Sequence, residues 1–326
     1  MTMRRIRVLW LPEKHIDLMW HELIRETVGQ AHDLAILDRR QPLAPQFAGV
    51  EVVLDSGGSV GTHPMMDSAV NCRLWQIIGT GLDHVDVAYI RSKGMLAANC
   101  PGASSGVALA ECAMMMILML ARRFRDADAT FRARGFGKPM GRTVSGAVLG
   151  IIGFGASGQE LARRARSFGM RIIGVDVRQI EPEIVREIGP DFLGTPADLD
   201  RVIAESDYLS LHLHLNEQTR HILDARRIGL MKPGACVINV ARGALADEEA
   251  LYAALLEGRL GGAGLDVFSD EPPDPARPVY GLPNVVALPH VAGLTDGTIR
   301  NRVAMAADNV NRIAQGQLPL YQVGLD

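Results

Sequence analysis

The chain has 326 residues, a length that favours about two domains. Apolar residues make up 48% and charged residues 22%, a balance that excludes a disordered or fibrous chain. The formal net charge of −3 offers no basic surface for nucleic acid and no acidic tail.

The first signal along the chain is a run at 8–11, just after Arg4, Arg5 and Arg7. It is too short for a signal peptide and reads as a first strand. Further runs at 51–54, 74–78 and 96–99 each end near a turn residue, with helical patterns at 15–28 and 85–93 between them. Strands alternating with helices imply a parallel sheet covered on both faces. After the break at Pro101-Gly102, residues 107–131 hold neither proline nor glycine, and Leu109, Ala113, Met116, Ile117 and Leu120 recur at helical spacing. One long helix joining two domains is expected there. Its longest apolar run, nine residues at 113–121, is too short to span a bilayer. A loop at 132–146 leads to strands at 148–152, 171–175, 208–213, 236–241, 263–268 and 285–288, a second and larger α/β unit. A helix at 298–315, with Asp296 as cap and Gly316 just past its end, follows the last strand and could return to the first domain. The expected division is 1–100 with 292–326, and 101–291.

Cys72, Cys100, Cys112 and Cys236 are never spaced as CxxC, so no metal or dithiol motif is expected. Scattered single cysteines fit a reducing cytoplasm. His212 and His214 share one side of the expected strand, but no third ligand accompanies them. The arginines between Arg122 and Arg142 are expected to be solvated, with one reaching a substrate or a partner subunit as the alternative.

Gly153-Phe154-Gly155-Ala156-Ser157-Gly158 is GxGxxG, placed between the strand 148–152 and a helical stretch at 159–168. In that position the first glycine permits the turn, the second lets backbone approach a pyrophosphate, and the third allows close helix–strand packing. The helix N-terminus supplies unpaired N–H groups to the phosphates. Asp176 lies eighteen residues after Gly158, at the end of the next strand, where an acid bonds ribose hydroxyls. That acid favours NAD, while Arg178 keeps NADP as the alternative.

Ligands of open α/β sheets bind beyond the carboxyl ends of the strands. Three such ends carry Arg242, then Asp270 and Glu271, then His290. Reduction of a 2-keto acid needs groups of these types. An arginine fork grips the substrate carboxylate, a histidine gives the carbonyl oxygen its proton, and a carboxylate on the far ring nitrogen orients the imidazole.

With these residues in place, the chain resembles the D-isomer-specific 2-hydroxyacid dehydrogenases along nearly its whole length. The likeness is densest in Asn239-Val240-Ala241-Arg242-Gly243, Asp247-Glu248, Gly264-Leu265-Asp266-Val267-Phe268, Glu271-Pro272, Pro289-His290-Val291-Ala292-Gly293 and Gly79-Thr80-Gly81-Leu82-Asp83-His84-Val85-Asp86. The resemblance implies two doubly wound parallel-sheet domains, a Rossmann cofactor domain and a flavodoxin-like substrate domain, with a cleft between them. It also implies a homodimer built on the cofactor domain. Arg242 would hold substrate carboxylate and carbonyl, His290 would be the acid/base, and Glu271 its partner. Asp266 would meet the nicotinamide carboxamide, with His212, Ala241, His290 and Gly293 also on the cofactor. Backbone of Ser56, Gly57 and Gly58, together with Gly81, would serve the substrate.

Two places depart from the family pattern. His214 and Asn216 stand where proline and threonine are more usual, and Phe136 stands where many relatives carry tryptophan. A glyoxylate- or hydroxypyruvate-like acid is the expected substrate. A 3-phosphoglycerate dehydrogenase is the alternative within enzymes, disfavoured because 54–66 holds no lysine or arginine for a phosphate. A dinucleotide-sensing corepressor-like protein is the alternative from another class, and the absence of basic tracts and low-complexity tails argues against it.

Overall fold

Apolar residues on both faces of a strand need cover on both faces, and the first sheet shows how that is met. In the computed structural model, which describes residues 4–14, 16–56 and 60–324, five strands pair in parallel. They are β1 (Arg7–Leu11), β2 (Asp33–Ile36), β3 (Val52–Ser56), β4 (Leu74–Ile78) and β5 (Leu96–Ala98), ordered β2-β1-β3-β4-β5. Along β1, Val8 and Trp10 enter one core and Leu9 and Leu11 the opposite one, a two-residue period with both sides filled. Each such side chain contributes about 1.5–3 kcal/mol by leaving water. The strand order is the flavodoxin-like one, whose switch point lies between β1 and β3.

The helix Asp296–Ala314 packs on this sheet. Buried Asn309 donates from Nδ2 to Gln76 Oε1 on β4 at 2.7 Å and exchanges bonds with the Leu320 backbone, so its buried amide is paired. The first compact unit is accordingly Met1–Ser104 with Asp296–Asp326, and the second is Ser105–Thr295. Both chain crossings lie four residues beyond the sequence expectation.

The second unit holds seven parallel strands: β6 (Val148–Ile152), β7 (Arg171–Val175), β8 (Phe192–Gly194), β9 (Tyr208–Leu211), β10 (Cys236–Asn239), β11 (Gly262–Leu265) and β12 (Val285–Ala287). Their order is β12-β11-β10-β9-β6-β7-β8, the doubly wound arrangement with its switch point between β6 and β9. Two apolar cores cover its faces. One contains Leu149, Ile151 and Ile238, the other Ile152, Leu209 and Val237.

Several local expectations are corrected. The stretch 107–131 is two helices, Gly106–Ala121 and Phe124–Arg132, and the first lies within the second unit instead of linking the two. Arg123 takes a left-handed backbone at φ 50°, and the loop returning from 132 places the Arg142 N–H 2.7 Å from the Ala121 carbonyl. That bond competes for an oxygen the helix would need to continue. Arg125 is not simply solvated, because its Nη1 donates to the carbonyls of Tyr280, Leu282 and Val285. Strands β2 and β8 carry no expectation from sequence. Both are short, at four and three residues, and β8 is an edge strand, as is β2. Strand β9 ends at Leu211, so His212 and His214 both lie beyond it. Cofactor-side helix Ala156–Ser167 begins inside the glycine motif, three residues earlier than its pattern suggests.

Candidate active site

The glycine motif sits at the switch point, on the turn from β6 into the helix Ala156–Ser167. Gly153 has φ +93°, and a Cβ there would lie 2.4 Å from the His212 carbonyl oxygen. A Cβ on Gly158 would lie 2.2 Å from the Gly153 carbonyl oxygen. Packing within the protein therefore demands both glycines. Gly155 is different: a Cβ there would meet only the tip of Arg178, at 3.4 Å. Nothing inside the fold excludes a side chain at 155, whereas a pyrophosphate lying on the backbone would. The helix that follows has no side-chain cap, so its first N–H groups remain available to an anion. The residues present thus fit a dinucleotide.

The Phe154 ring is fully buried, and its backbone N–H donates to Asp176 Oδ2 at 2.7 Å. Asp176 is also bonded by the Arg178 backbone N–H, Nε and Nη2 at 2.8, 3.1 and 3.2 Å. Burial works to raise the Asp176 carboxyl, but the bonds from Arg178 and Phe154 outweigh it and hold it below the usual carboxylate value. Acid and arginine, weighed as opposing signals in the sequence, form one ion pair.

Beyond β9, His212 bridges two hydroxyls. Its Nδ1 lies 2.9 Å from Ser157 Oγ in the glycine motif, and its Nε2 lies 2.9 Å from Ser210 Oγ. Burial pushes this imidazole down to about 4. It is a neutral strut that fixes Ser157. His214, two residues on, is exposed.

The remaining groups follow three adjacent strands, β10, β11 and β12. After β10, Asn239 folds its amide over the turn, accepting from Ala241 N–H at 3.1 Å and donating to the Arg242 carbonyl at 2.8 Å. This cap presents Arg242 in an extended conformation, its Nη1 on the Ala241 carbonyl at 2.8 Å. Gly243 allows the turn to press on the next loop, since a Cβ there would lie 1.9 Å from the Phe268 carbonyl carbon.

After β11, Glu271 uses both oxygens. Oε1 accepts from the Phe268 N–H at 3.0 Å and Oε2 lies 2.8 Å from His290 Nδ1. Glu248 steadies the same loop by accepting from the Ser269 N–H at 2.6 Å. After β12, His290 takes a left-handed backbone at φ 57°. Its N–H donates to the Asp266 carbonyl, and the Asp266 carboxylate accepts from the N–H groups of Val291 and Ala292, all at 2.8 Å. Burial raises the Asp266 carboxyl, and the two amides only partly offset this. Among the described residues, no partner meets His290 Nε2, and the side chain is 47% exposed, so that nitrogen is open to a substrate.

The structure therefore brings together Glu271, His290 and Asp266, and separately Asp176, Arg178 and Phe154, and His212 with Ser157. Ala241 and Gly293 lie half-buried on the loops after β10 and β12. Ser56 and Gly81 lie on the first unit, after or at the ends of β3 and β4. Gly57 and Gly58 lie outside the described residues. Asn239 and Glu248 were part of the sequence motifs without an assigned role. The signal for Asn239 was its place at a strand end, three residues before the extended Arg242, where an amide caps a turn.

Residues 114–292 match the family described as D-isomer specific 2-hydroxyacid dehydrogenase, NAD binding domain. The chain belongs to the D-isomer-specific 2-hydroxyacid dehydrogenases. It is 38% identical to the hydroxypyruvate reductase of Thermotoga maritima over 250 residues, covering 76% of this chain and 79% of that protein. It is 33% identical to the D-3-phosphoglycerate dehydrogenase of Methanocaldococcus jannaschii over 297 residues, covering 90% of this chain and 55% of that protein. The chain thus spans about half the length of that relative. Among solved structures, a glyoxylate reductase from Paecilomyes thermophila superposes with a TM-score of 0.82 at 28% identity, covering 98% of this chain and 99% of that one. As a family member the protein is an oxidoreductase with NAD as its cofactor, and the two parallel-sheet domains agree with that family's structures.

Proposed function

We propose that the protein reduces a small 2-keto acid, of glyoxylate or hydroxypyruvate size, to the D-2-hydroxy acid. The observation that carries this reading is the Glu271–His290 pair, with one ring nitrogen held by the carboxylate and the other open. Nicotinamide, when bound, supplies the hydride to the keto carbon. His290 Nε2 gives its proton to the keto oxygen, and Glu271 keeps the imidazole turned toward it. Arg242 takes the substrate carboxylate through its planar fork. Gly153 to Gly158 would hold the cofactor's phosphates, Asp176 its ribose and Asp266 its carboxamide.

The identity to the hydroxypyruvate reductase supports the substrate size. Against a phosphorylated substrate stands the lack of any lysine or arginine between Leu54 and Met66. A homodimer through the second unit is supported by the helix Phe124–Arg132, which buries none of its residues. Phe131, Phe136 and Met140, on that helix and the loop after it, are 80%, 99% and 89% exposed, an apolar surface a monomer rarely leaves bare. A cytoplasmic setting is supported by four cysteines that are all free thiols.

The test is oxidation of NADH and NADPH by the purified protein with glyoxylate, hydroxypyruvate, pyruvate, phenylpyruvate and 3-phosphohydroxypyruvate. Turnover on the first two is expected. NADH binding with no turnover on any would overturn the enzymatic reading and favour a sensing role.

A further inference from the structure

Glu271 stands on the loop between β11 and the short helix Pro278–Gly281. Two successive N–H groups of that loop end on two carboxylates. Phe268 donates to Glu271 Oε1 at 3.0 Å, and Ser269 donates to Glu248 Oε1 at 2.6 Å. The first bond closes the loop on itself, so it fixes Glu271 only relative to its own neighbours. The second reaches another element. Among the described residues, the hydrogen bonds that leave residues 268–271 go to His290 and to Glu248. Phe268 is seated by packing, at 6% exposure and edge-on to Tyr280 with 5.6 Å between ring centroids. Beyond Phe268, the tie to Glu248 is what joins the loop to a fixed element.

Glu248 opens the nine-residue helix Glu248–Leu256, whose Leu251 and Leu255 lie in the core. The Asp247 cap accepts from the Ala250 N–H at 3.1 Å. The chain enters this helix from the turn Gly243–Leu245, directly after Arg242. Burial raises the Glu248 carboxyl, and the N–H and hydroxyl of Ser269, the charge of Arg277 and the Tyr252 hydroxyl only partly offset this. A carboxylate in the first turn of a helix has a plain structural use, since negative charge is favoured there. That use needs charge and not reach. The bond to Ser269 needs reach and not charge, because an amide oxygen at the same distance accepts an N–H as well.

We propose that Glu248 is a positioning residue for the proton transfer: by holding the Ser269 N–H it sets where Glu271 stands, and through Glu271 which way the His290 imidazole faces. This rests on the reading above that His290 gives the proton and Glu271 orients it. A loop displaced from Glu248 carries with it the carboxylate that holds His290 Nδ1. Turnover is sensitive to such displacements, because the opposite nitrogen must stay within hydrogen-bond reach of the keto oxygen.

Two conservative changes separate reach from charge. Glu248→Gln keeps the length and loses the charge, whereas Glu248→Asp keeps the charge and is one methylene shorter. With NADH and the keto acid, Glu248→Gln should stay within about twofold of wild type in kcat. Glu248→Asp should fall by about fivefold to tenfold, the loss lying in kcat and not in KM. In a Glu271→Gln background, Glu248→Asp should cost less than about twofold, because the group that transmits its effect is already disabled. A kcat for Glu248→Asp no lower than that for Glu248→Gln overturns the proposal and leaves Glu248 to the helix terminus. An undiminished loss in the Glu271→Gln background overturns it too. If the wild type turns over no keto acid, the functional reading fails separately, and the nitrogen resonances of the His290 imidazole decide for Glu248. Glu248→Asp should move the Nδ1 resonance in the direction that Glu271→Gln moves it, while Glu248→Gln should not. An unmoved Nδ1 in Glu248→Asp overturns the positioning role.

Discussion

Glu271 Oε2 sits 2.8 Å from His290 Nδ1, while Glu271 Oε1 is tied to the Phe268 N–H of its own loop. The carboxylate is thereby braced on one side and orients the imidazole with the other. A charge-assisted contact of this length is worth more than a neutral hydrogen bond, and it fixes which nitrogen faces outward. His290→Gln should lower keto-acid turnover by about 10²–10⁴-fold, the usual range for a lost acid/base. NADH binding, followed by fluorescence, should persist. Glu271→Gln keeps the shape but not the charge, so a smaller loss is expected, on the order of tenfold. Equal losses in the two variants would remove the distinction between proton donor and orienting partner.

Cofactor choice turns on the Asp176–Arg178 pair. Because two nitrogens of the Arg178 guanidinium already bond Asp176, a 2′-phosphate would have to compete with that ion pair, and NADH should be preferred. Arg178→Ala would leave Asp176 uncompensated and should depress kcat/KM for NADPH by about tenfold more than for NADH. Steady-state kinetics with both cofactors gives the ratio, and a ratio unmoved by the change would show that Arg178 already lies outside the ribose site.

The neutral strut at His212 carries a pH cost. Its imidazole is held down at about 4 in the fold, against about 6.5 unfolded. The unfolded chain therefore binds more protons between those values, and stability rises with pH there. The contribution is complete above about pH 6.5 and is lost as pH falls toward about 4, on the order of 3 kcal/mol in all. Denaturant unfolding of wild type and His212→Gln across this window should give a steeper slope for the wild type. His212→Ala should in addition weaken NADH binding, by releasing Ser157.

Asp55 runs the other way. Its folded value, about 6, lies above the unfolded carboxylate value. The folded state therefore holds the extra proton, and wild-type stability declines as pH rises toward about 6 and stays reduced above it. Asp55→Asn should be more stable than wild type at neutral pH, by on the order of 2 kcal/mol, and should gain nothing near pH 4. Thermal melts at the two pH values compare them directly.

For the dimer, Phe131→Asp and Phe136→Asp together place charges on the exposed apolar surface. Sedimentation should show the wild type at twice the chain mass and the double variant as a monomer. A monomeric wild type would refute the dimer outright.

The parts most legible in the sequence were those that two independent patterns mark at once. Val148 to Gly158 reads as strand and as glycine motif, and the ends of β10, β11 and β12 read as strand termini and as chemistry. The break at Arg123 left no trace, because no glycine or proline marks it. The residue that stops the helix, Arg142, lies nineteen positions away, and its N–H on Ala121 is a tertiary bond. Strands β2 and β8 escaped because a short edge strand needs little apolar pattern. Asp176 and Arg178 were both legible as residues but not as partners, since spacing of two says nothing of a side chain folding back. Asp55 appeared only as the end of an apolar run, and its burial depends on Trp75 and Gly61, which arrive from other segments.

The left-handed backbone at His290 has a consequence for how the protein can evolve. A histidine at φ 57° gives up about 1 kcal/mol that glycine or asparagine would not. Selection for heat tolerance alone would thus reward replacement of the very residue proposed to give the proton. A variant library recovered by thermal challenge, with no demand for turnover, should drift toward His290→Asn and His290→Gly. The strain persists in the natural chain only under selection for the reaction.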